Sequence, residues 1–468
     1  MPVIFITDAL IFFLVFMVSC FILYARRHEH LRAPWRQVVR SPLAMSSAVI
    51  LAAYILVGLL DSIHFHPRMP AAGSDEIINS TEIMSLLDVV TGPLRTRNEK
   101  TYSSPLASHL YAKEIIELPD GSQIRDYPRL LYGGAHLSAP EAGKRQDILQ
   151  RVFSGLLLGS TLSGLLFGIF VLLSGRAGRV SFTAEAMAII RRRKAIPWHA
   201  ILLTLALLVI TASVTIVLAS GYHVLGTDKV GQDVMYQSLK SIRTGLVIGT
   251  LTTLVMLPFA IMLGLMAGYF RGWVDDVIQY LYTTLNSIPG VLLIAASILI
   301  LQVYIANHAD EFTSIEHRAD MRLLFLCIIL GITSWTGLCR MLRGETLKLR
   351  EIDYVQAAQA FGVGNTTIML RHLLPNVMHI VMISIVLDFS GLVLAEAVLS
   401  YINIGVDPTM HSWGNMINSA RLEMAREPIV WWSLTAAFLF MFVLVLAANL
   451  FSDAVRDAFD PRIRTGFE

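Results

Sequence analysis

Nine stretches of this chain are each long and apolar enough to cross a membrane as a helix: Ile4–Tyr24, Leu43–Leu60, Phe153–Ser174, Trp198–Gly221, Leu246–Phe270, Val277–Tyr304, Leu323–Cys339, Val377–Ser400 and Ile429–Phe451. About 20 apolar residues cover the hydrocarbon core, where every backbone polar group must be satisfied within the segment itself. Helices are therefore the expected spanning elements. Only 15% of the 468 residues are charged, against about 25% in a soluble domain, so the chain cannot coat itself for water. The first stretch has no basic leader and is followed by Arg26 and Arg27, which suits a helix with its amino end outward rather than a cleaved signal.

Charge distribution selects an orientation. Residues 25–42, 175–195, 271–276, 340–375 and 453–468 together hold 20 Lys/Arg, whereas the short loops 225–243, 305–322 and 401–428 hold 7. Positive flanks stay cytoplasmic, so the amino terminus is expected outside and the carboxyl terminus inside. Arg191-Arg192-Arg193-Lys194 then reads as a cytoplasmic anchor, not a nucleic-acid site. Cys20, Cys327 and Cys339 lie in or at the edge of spans and offer neither a disulfide framework nor a metal-ligand spacing.

One long polar excursion, residues 61–152, falls on the outer side. Ser74 is expected to cap a helix through Asp75–Val90, with Ile78, Leu86 and Val90 at helix-like spacings. Lys113–Leu118 and Gln123–Tyr127 flank a Pro-Asp-Gly-Ser turn and read as a hairpin. Ser138-Ala-Pro-Glu141 is a capping-box pattern opening the helix toward the next span. A small α+β domain is expected. It serves either to receive a partner or cargo, or simply to cap the surrounding helices.

The segment 340–376 is the most informative loop. Asp353 through Phe361 reads as a short helix with Tyr354, Ala358 and Phe361 on one stripe. Ala357, Ala358 and Ala360 thin its surface enough for another protein to approach closely. Gly362 suits the left-handed stop of that helix. Asn365 is expected to cap a second helix, Thr366–Leu374, and Pro375 to break it before the next span. On physical grounds, a docking element and an unpartnered amphipathic loop fit this pattern about equally.

This loop resembles the EAA loop of permease subunits in bacterial ATP-binding-cassette importers, with Ala357, Ala358 and Gly362 in its fixed places. Leu225-Gly-Thr-Asp-Lys-Val-Gly-Gln-Asp233 is similar to the Gly-Thr-Asp signature of the C-type subunits of dipeptide and oligopeptide permeases. Ala267–Asp275, Glu396–Gly405, Ser412–Asn415 and Asp453–Pro461 resemble further landmarks of that family in the same order. The likeness spans residues 225–464. Three positions depart from it: Gln356 replaces the acid that names the motif, Gln232 replaces an arginine, and Tyr401-Ile402-Asn403 replaces Phe-Leu-Gly.

The resemblance implies an all-α polytopic membrane protein. Its parts would be a six-helix type I importer permease core, about three extra helices and a small α+β extracytoplasmic domain. Expected segments are two helices in 1–60, the outer domain 61–152, a helical hairpin 153–221, the core 222–452 and a tail 453–468. Trp35–Ala44 resembles the family's cytoplasmic lead into its first helix, which makes the hairpin an insertion. Alternatively, Trp198–Gly221 is the first core helix and all before it an appendage. The coupling loop would comprise Asp353, Tyr354, Gln356, Ala357, Ala358, Gly362, Arg371 and Pro375. Gly226, Thr227, Asp228, Gly231 and Asp233 would form the outer motif. Implied partners are a homologous B-type permease, cytoplasmic ATPases carrying ATP and Mg²⁺, an extracytoplasmic binding protein and membrane lipid.

The sequence holds no Gly-x-x-x-x-Gly-Lys-Ser/Thr phosphate loop and no catalytic constellation, so no reaction is expected of the chain alone. Asp388 is the one acid deep within a span. An intramembrane acid normally faces a cavity or a partner, so it either lines a pathway together with Glu396 or makes a structural bond. Gly245 with Gly249, and Gly264 with Gly268, are small-residue pairs expected to pack helices closely. An ion-coupled transporter or channel would also explain the spans and Asp388, but not the ordered motifs.

Overall fold

The structure is a computed structural model describing residues 2–27, 29–70, 77–80, 82–117, 123–138, 140–308 and 314–459. In chain order the helices are α1 (Ile6–Arg27), α2 (Glu29–Arg40), α3 (Pro42–Asp61), α4 (Leu86–Val90), α5 (Gly92–Thr96), α6 (Pro140–Gly178), α7 (Phe182–Ile190) and α8 (Trp198–Ala219). Then follow α9 (Val234–Phe270), α10 (Gly272–Ser287), α11 (Gly290–Asn307), α12 (Ile315–Ser334), α13 (Thr336–Leu349) and α14 (Asp353–Ala360). The series ends with α15 (Asn365–Thr367), a π-helical turn (Ile368–Leu373), α16 (Leu374–Tyr401), α17 (Trp413–Glu423) and α18 (Trp432–Phe459).

Among the described residues eight segments are long and apolar enough to span a bilayer, and Ile6–Cys20 adds a shorter apolar helix. Eight of the nine expected stretches each overlap a single one of these elements. Val277–Tyr304 is not one helix: Ile288 is extended and Pro289 opens a new helix, so α10 and α11 are separate. Proline disfavours helical geometry in the residue before it, which explains the break. Pro258, by contrast, is carried inside α9.

Contacts group the chain into two compact units, one of residues 1–3, 35–244 and 411–451, the other of 4–34, 245–410 and 452–468. In the first, α6 packs along α8 and α8 along α3. A Cβ at Gly155 would lie 2.7 Å from the Val214 backbone, and one at Gly159 the same distance from Ile210. These two glycines let the α6 and α8 backbones meet, the usual role of small residues where lipid supplies no hydrophobic drive.

The 61–152 segment also belongs to this unit. Strands β1 (Pro2–Val3), β2 (His64–Phe65) and, later, β5 (Met84–Ser85) pair antiparallel in the order β1-β2-β5. β3 (Arg68–Pro70) pairs with β4 (Ile77–Asn79), and β6 (Glu114–Glu117) with β7 (Gln123–Asp126), Ile116 opposite Ile124. The 113–127 hairpin is therefore as expected, though its turn lies outside the described residues. The helix expected through Asp75–Val90 is not: Ile77–Asn79 is a strand and helix begins only at Leu86. Its cap is Ser85, in a capping box with Asp88, not Ser74, which lies outside the described residues. α6 starts at Pro140, as the 138–141 pattern predicts.

In the second unit, Met256, Leu265, Tyr282, Trp335, Leu342, Val355, Ile368, Leu373 and Val377 share one buried core. Gly264 sits against Leu342 and Cys339, Gly268 against Thr346 and Arg343, and Gly249 against Phe389, each closer than a side chain allows. Gly249, Gly264 and Gly268 thus contribute close packing. Elsewhere in this unit Val247, Leu251, Ile298, Leu323 and Leu399 form a further core, against which Leu10 and Ile11 of α1 rest.

Candidate functional site

The loop between α13 and α16 is built around one anchor. Val355 is buried in the core beside Ile368 and Leu373, and Ala358 packs against it. That fixes which way α14 faces and corrects the expected stripe: Tyr354 and Phe361 point outward, Phe361 with 87% of its surface exposed. Asp353, Gln356, Ala357, Arg371 and Pro375 are also exposed. Gly362 has φ +73°, the left-handed conformation foreseen for it. Its N–H donates to Gln359 O and the Val363 N–H to Ala358 O, closing the helix end.

Two further expectations are revised here. Asn365 does not cap; Gly364 holds the cap position, and Asn365 Oδ1 accepts from the Tyr269 hydroxyl at 2.9 Å. Nor does Pro375 break anything. It lies at the junction of the π turn and α16, and the helical path runs unbroken from Asn365 to Tyr401. Asn376 ties the two arms together, donating to Tyr354 Oη at 2.9 Å and His372 O at 2.6 Å. Gln356 donates to Glu351 O at 3.2 Å, and Glu351 pairs with Arg271. Arg343 grips Asp275 with two bonds of 2.6 and 2.7 Å, and this charge-assisted pair holds the Asp275 carboxyl below its ordinary range. The loop's outer face, with Tyr354, Ala357, Phe361 and Leu370, has no covering element among the described residues.

The Leu225–Asp233 motif is a folded clasp. Gly226 and Gly231 take φ +73° and +78°. Thr227 Oγ1 accepts from Ser103 N at 2.7 Å and donates to Thr101 O at 2.9 Å, and Trp432 Nε1 donates to Thr227 O. Asp228 accepts from Val230 N, Gln232 N and Gln237 Nε2, a local turn lock. Asp233 is buried: Oδ1 accepts from Met235 N and Tyr236 N at the start of α9, and Oδ2 meets His223 Nδ1 at 2.7 Å. Asp233 thus serves the fold of the clasp.

His223, which sequence reasoning passed over, joins the motif to the 61–152 segment. Its Nε2 lies 3.4 Å from Glu99 Oε1, and the Glu99 carboxylate accepts from the N–H groups of Leu131, Tyr132 and Gly133. Burial opposes charge on the imidazole, but Asp233 and Glu99 outweigh it and raise its pKa to about 9. Burial likewise opposes ionised Glu99, yet His223 and the three N–H groups bring it down to about 2. A raised imidazole pKa contributes stability below the ordinary value of 6.5 that is lost as pH climbs through about 9. The shift corresponds to something on the order of 3 kcal/mol. His223→Asn should therefore lower the melting temperature of the solubilised protein at pH 7 and flatten its decline between pH 7 and 10. Superimposable wild-type and variant pH profiles would show that the clasp is not proton-linked. The acid limb behaves oppositely, Glu99 losing its contribution as pH falls from about 4.5 toward about 2.

A second cluster missed from sequence sits nearby in the same unit. Lys240 Nζ bonds Asp61 Oδ1 at 2.6 Å and Asp88 Oδ2 at 3.2 Å, and the Tyr236 hydroxyl donates to Asp88 Oδ1. It joins the ends of α3, α4 and α9. A lysine shortly after the Gly-Thr-Asp motif was the sole signal.

Of the two acids on α16, Glu396 is 1% exposed and accepts from Ser400 Oγ at 2.7 Å, while Ser400 Oγ also receives Val406 N. Gly405 leaves room for that turn, since a Cβ there would fall 2.0 Å from Ser400 Oγ. Glu396 therefore secures the end of α16 and does not line open space. Asp388 is half-buried.

A family model described as "Binding-protein-dependent transport system inner membrane component" matches residues 260–465. The glutathione transport system permease protein GsiD of Pectobacterium atrosepticum is 32% identical over 248 residues, 53% of this chain and 75% of that protein. The oligopeptide transport system permease protein OppC of Mycobacterium tuberculosis is 32% identical over 243 residues, 52% and 77% respectively. The dipeptide transport system permease protein DppC of Lactococcus lactis is 30% identical over 240 residues, 51% and 64%. Such proteins are transport permeases rather than catalysts, with ATP hydrolysis on a separate chain. With its apolar helices, the chain belongs to the inner-membrane components of binding-protein-dependent transport, among the permease subunits of the dipeptide/oligopeptide ATP-binding-cassette importer family.

Proposed function

We propose that this permease, paired with a homologous B-type subunit, carries peptides or a related small solute inward, delivered by an extracytoplasmic binding protein. The relatives' names point to glutathione, oligopeptides and dipeptides. The observation that carries the reading is the exposed face of α14, with Phe361 outward over a core-anchored Val355. A large aromatic beside exposed small residues is the anchor of a helix-in-groove contact. Its partner is the cytoplasmic ATPase, which holds the ATP and Mg²⁺. Closure of the ATPases shifts the 353–365 element and rocks the core between inward- and outward-facing states. Gln356 contributes at most a neutral hydrogen bond to that contact. Asp388 is the pathway acid, Glu396 having been assigned to the turn.

This scheme needs the loop in the cytoplasm, the amino terminus and the 61–152 domain outside and the carboxyl terminus inside, as the charge distribution indicates. In a background lacking all three cysteines, Arg125→Cys should react with an impermeant thiol reagent in intact spheroplasts. Thr366→Cys should react only after permeabilisation. The reverse pattern would put the loop beyond reach of any ATPase and overturn the proposal.

A further inference from the structure

Besides transport, the α6–α8 hairpin carries a feature that no step above uses. Between α6, α7 and α8 lies an open cavity of about 490 Å³. Its walls are apolar, with Leu166 and Phe167 of α6, Ile189 of α7 and Leu202 of α8 among them, and its rim carries Arg192 and His199. Gly164 of α6 lines it, and a Cβ there would meet nothing within 4 Å. The volume is in the range of small-molecule sites.

The charge at the rim is unbalanced. Lys194 is matched, bonding Glu185 at 2.8 Å, and Glu185 also accepts from Ser174. Among the described residues no carboxylate pairs with Arg191, Arg192 or Arg193. Arg192 is also held at φ +56°, in a tight turn where Arg192 N donates to Ile189 O and Arg193 N to Ala188 O. A bulky residue in the left-handed region is costly and persists where the surroundings demand it. An apolar slot with an unpaired guanidinium and an imidazole at its mouth, set in a membrane-crossing hairpin, matches a ligand with one anionic head and a hydrocarbon tail.

We propose that this cavity is a specific site for an anionic glycerophospholipid of the surrounding bilayer. One acyl chain lies over Gly164 and between the apolar walls, and the phosphate lies against Arg192 and His199. The inference rests on the membrane-spanning hairpin alone, so it stands or falls independently of the transport reading.

The test uses the full-length protein, with whatever subunits accompany it, purified from membranes, extensively washed in neutral detergent and re-supplied with equal phosphatidylglycerol and phosphatidylcholine. Retained lipid is counted by native mass spectrometry. Wild type should keep phosphatidylglycerol about tenfold over phosphatidylcholine. Gly164→Phe should empty the slot and remove retention of the anionic lipid. Arg192→Gln with His199→Gln should remove the preference for the anionic head, with unchanged melting temperature. Should Gly164→Phe disturb the hairpin, the rim variant carries the test. Equal retention of both lipids by wild type would reduce the cavity to ordinary lipid contact and overturn the proposal. So would an unchanged preference in the rim variant, or displacement of phosphatidylglycerol by an equimolar fatty acid, which would reassign the site to soluble anionic amphiphiles.

Discussion

Gly231→Ala should cost the protein about 3–5 kcal/mol and lower its melting temperature by roughly 3–5 °C. Two penalties coincide at this position. The backbone φ of +78° disfavours any side chain, and a Cβ would fall 1.8 Å from the carbonyl oxygen of Glu99. That oxygen belongs to backbone, so no rotamer change relieves the overlap. Glu99 N donates to Gly231 O at 2.9 Å, so the same displacement breaks that bond and carries the Glu99 carboxylate away from His223. Val230→Ala, one residue earlier and exposed, serves as the neutral control. Differential scanning fluorimetry on the solubilised protein reads both, and a wild-type melting temperature for Gly231→Ala would refute the clasp.

Gly362→Val tests the other end of the argument through a different mechanism. The φ is again left-handed, but space around the α-carbon is open, with nothing within 4 Å of a built Cβ. Only the backbone objects, by about 1–2 kcal/mol or more for a branched residue. The core beneath Val355 is untouched, so the variant should insert and assemble normally. Its α14 end unwinds, Phe361 is re-aimed, and uptake should fall tenfold or more while the level of assembled complex holds. Gly362→Asn, whose side chain tolerates the left-handed region, should keep most uptake. Full transport by the valine variant would free this element of any part in coupling.

Much of this architecture is written in the chain's apolar runs, because a bilayer enforces one local rule on every spanning segment. The 113–127 hairpin and the stop at Gly362 were legible for similarly local reasons: a turn signal between strand-like runs, and a glycine where a helix must end. What stayed hidden depends on distant partners. Ile77–Asn79 has helix-like neighbours at suggestive spacings, yet its strand exists because Arg68–Pro70 pairs with it. Tyr354, Ala358 and Phe361 share a helical spacing, but the position of Val355 against Ile368 turns Ala358 to the core and leaves Tyr354 and Phe361 outside. His223 looked like an isolated histidine in a loop, since Glu99 lies far away in sequence. Asp233 and Glu396 were acids in recognisable motifs, and motif membership does not distinguish a residue that folds a loop from one that meets a ligand.

The π turn at Ile368–Leu373 sets the phase of everything before it. A π turn is an α-helix with one residue too many, and each residue of an α-helix advances the direction of its side chains by about 100°. The extra residue is absorbed in mid-path, between the exposed surface of α14 and α15 and the helical run of α16 that carries the Glu396–Ser400 bond. Asn365 to Tyr401 is 37 residues, about 55 Å at helical rise. Under the proposed coupling, a push at the loop would travel along this path, and the inserted residue fixes the azimuth at which it is received. Evolution by single-residue insertion or deletion inside that turn would swing the outer surface about a third of the way round the axis. The length of the path and the angle of its outer surface are thus independently adjustable, one by the span and the other by a single residue.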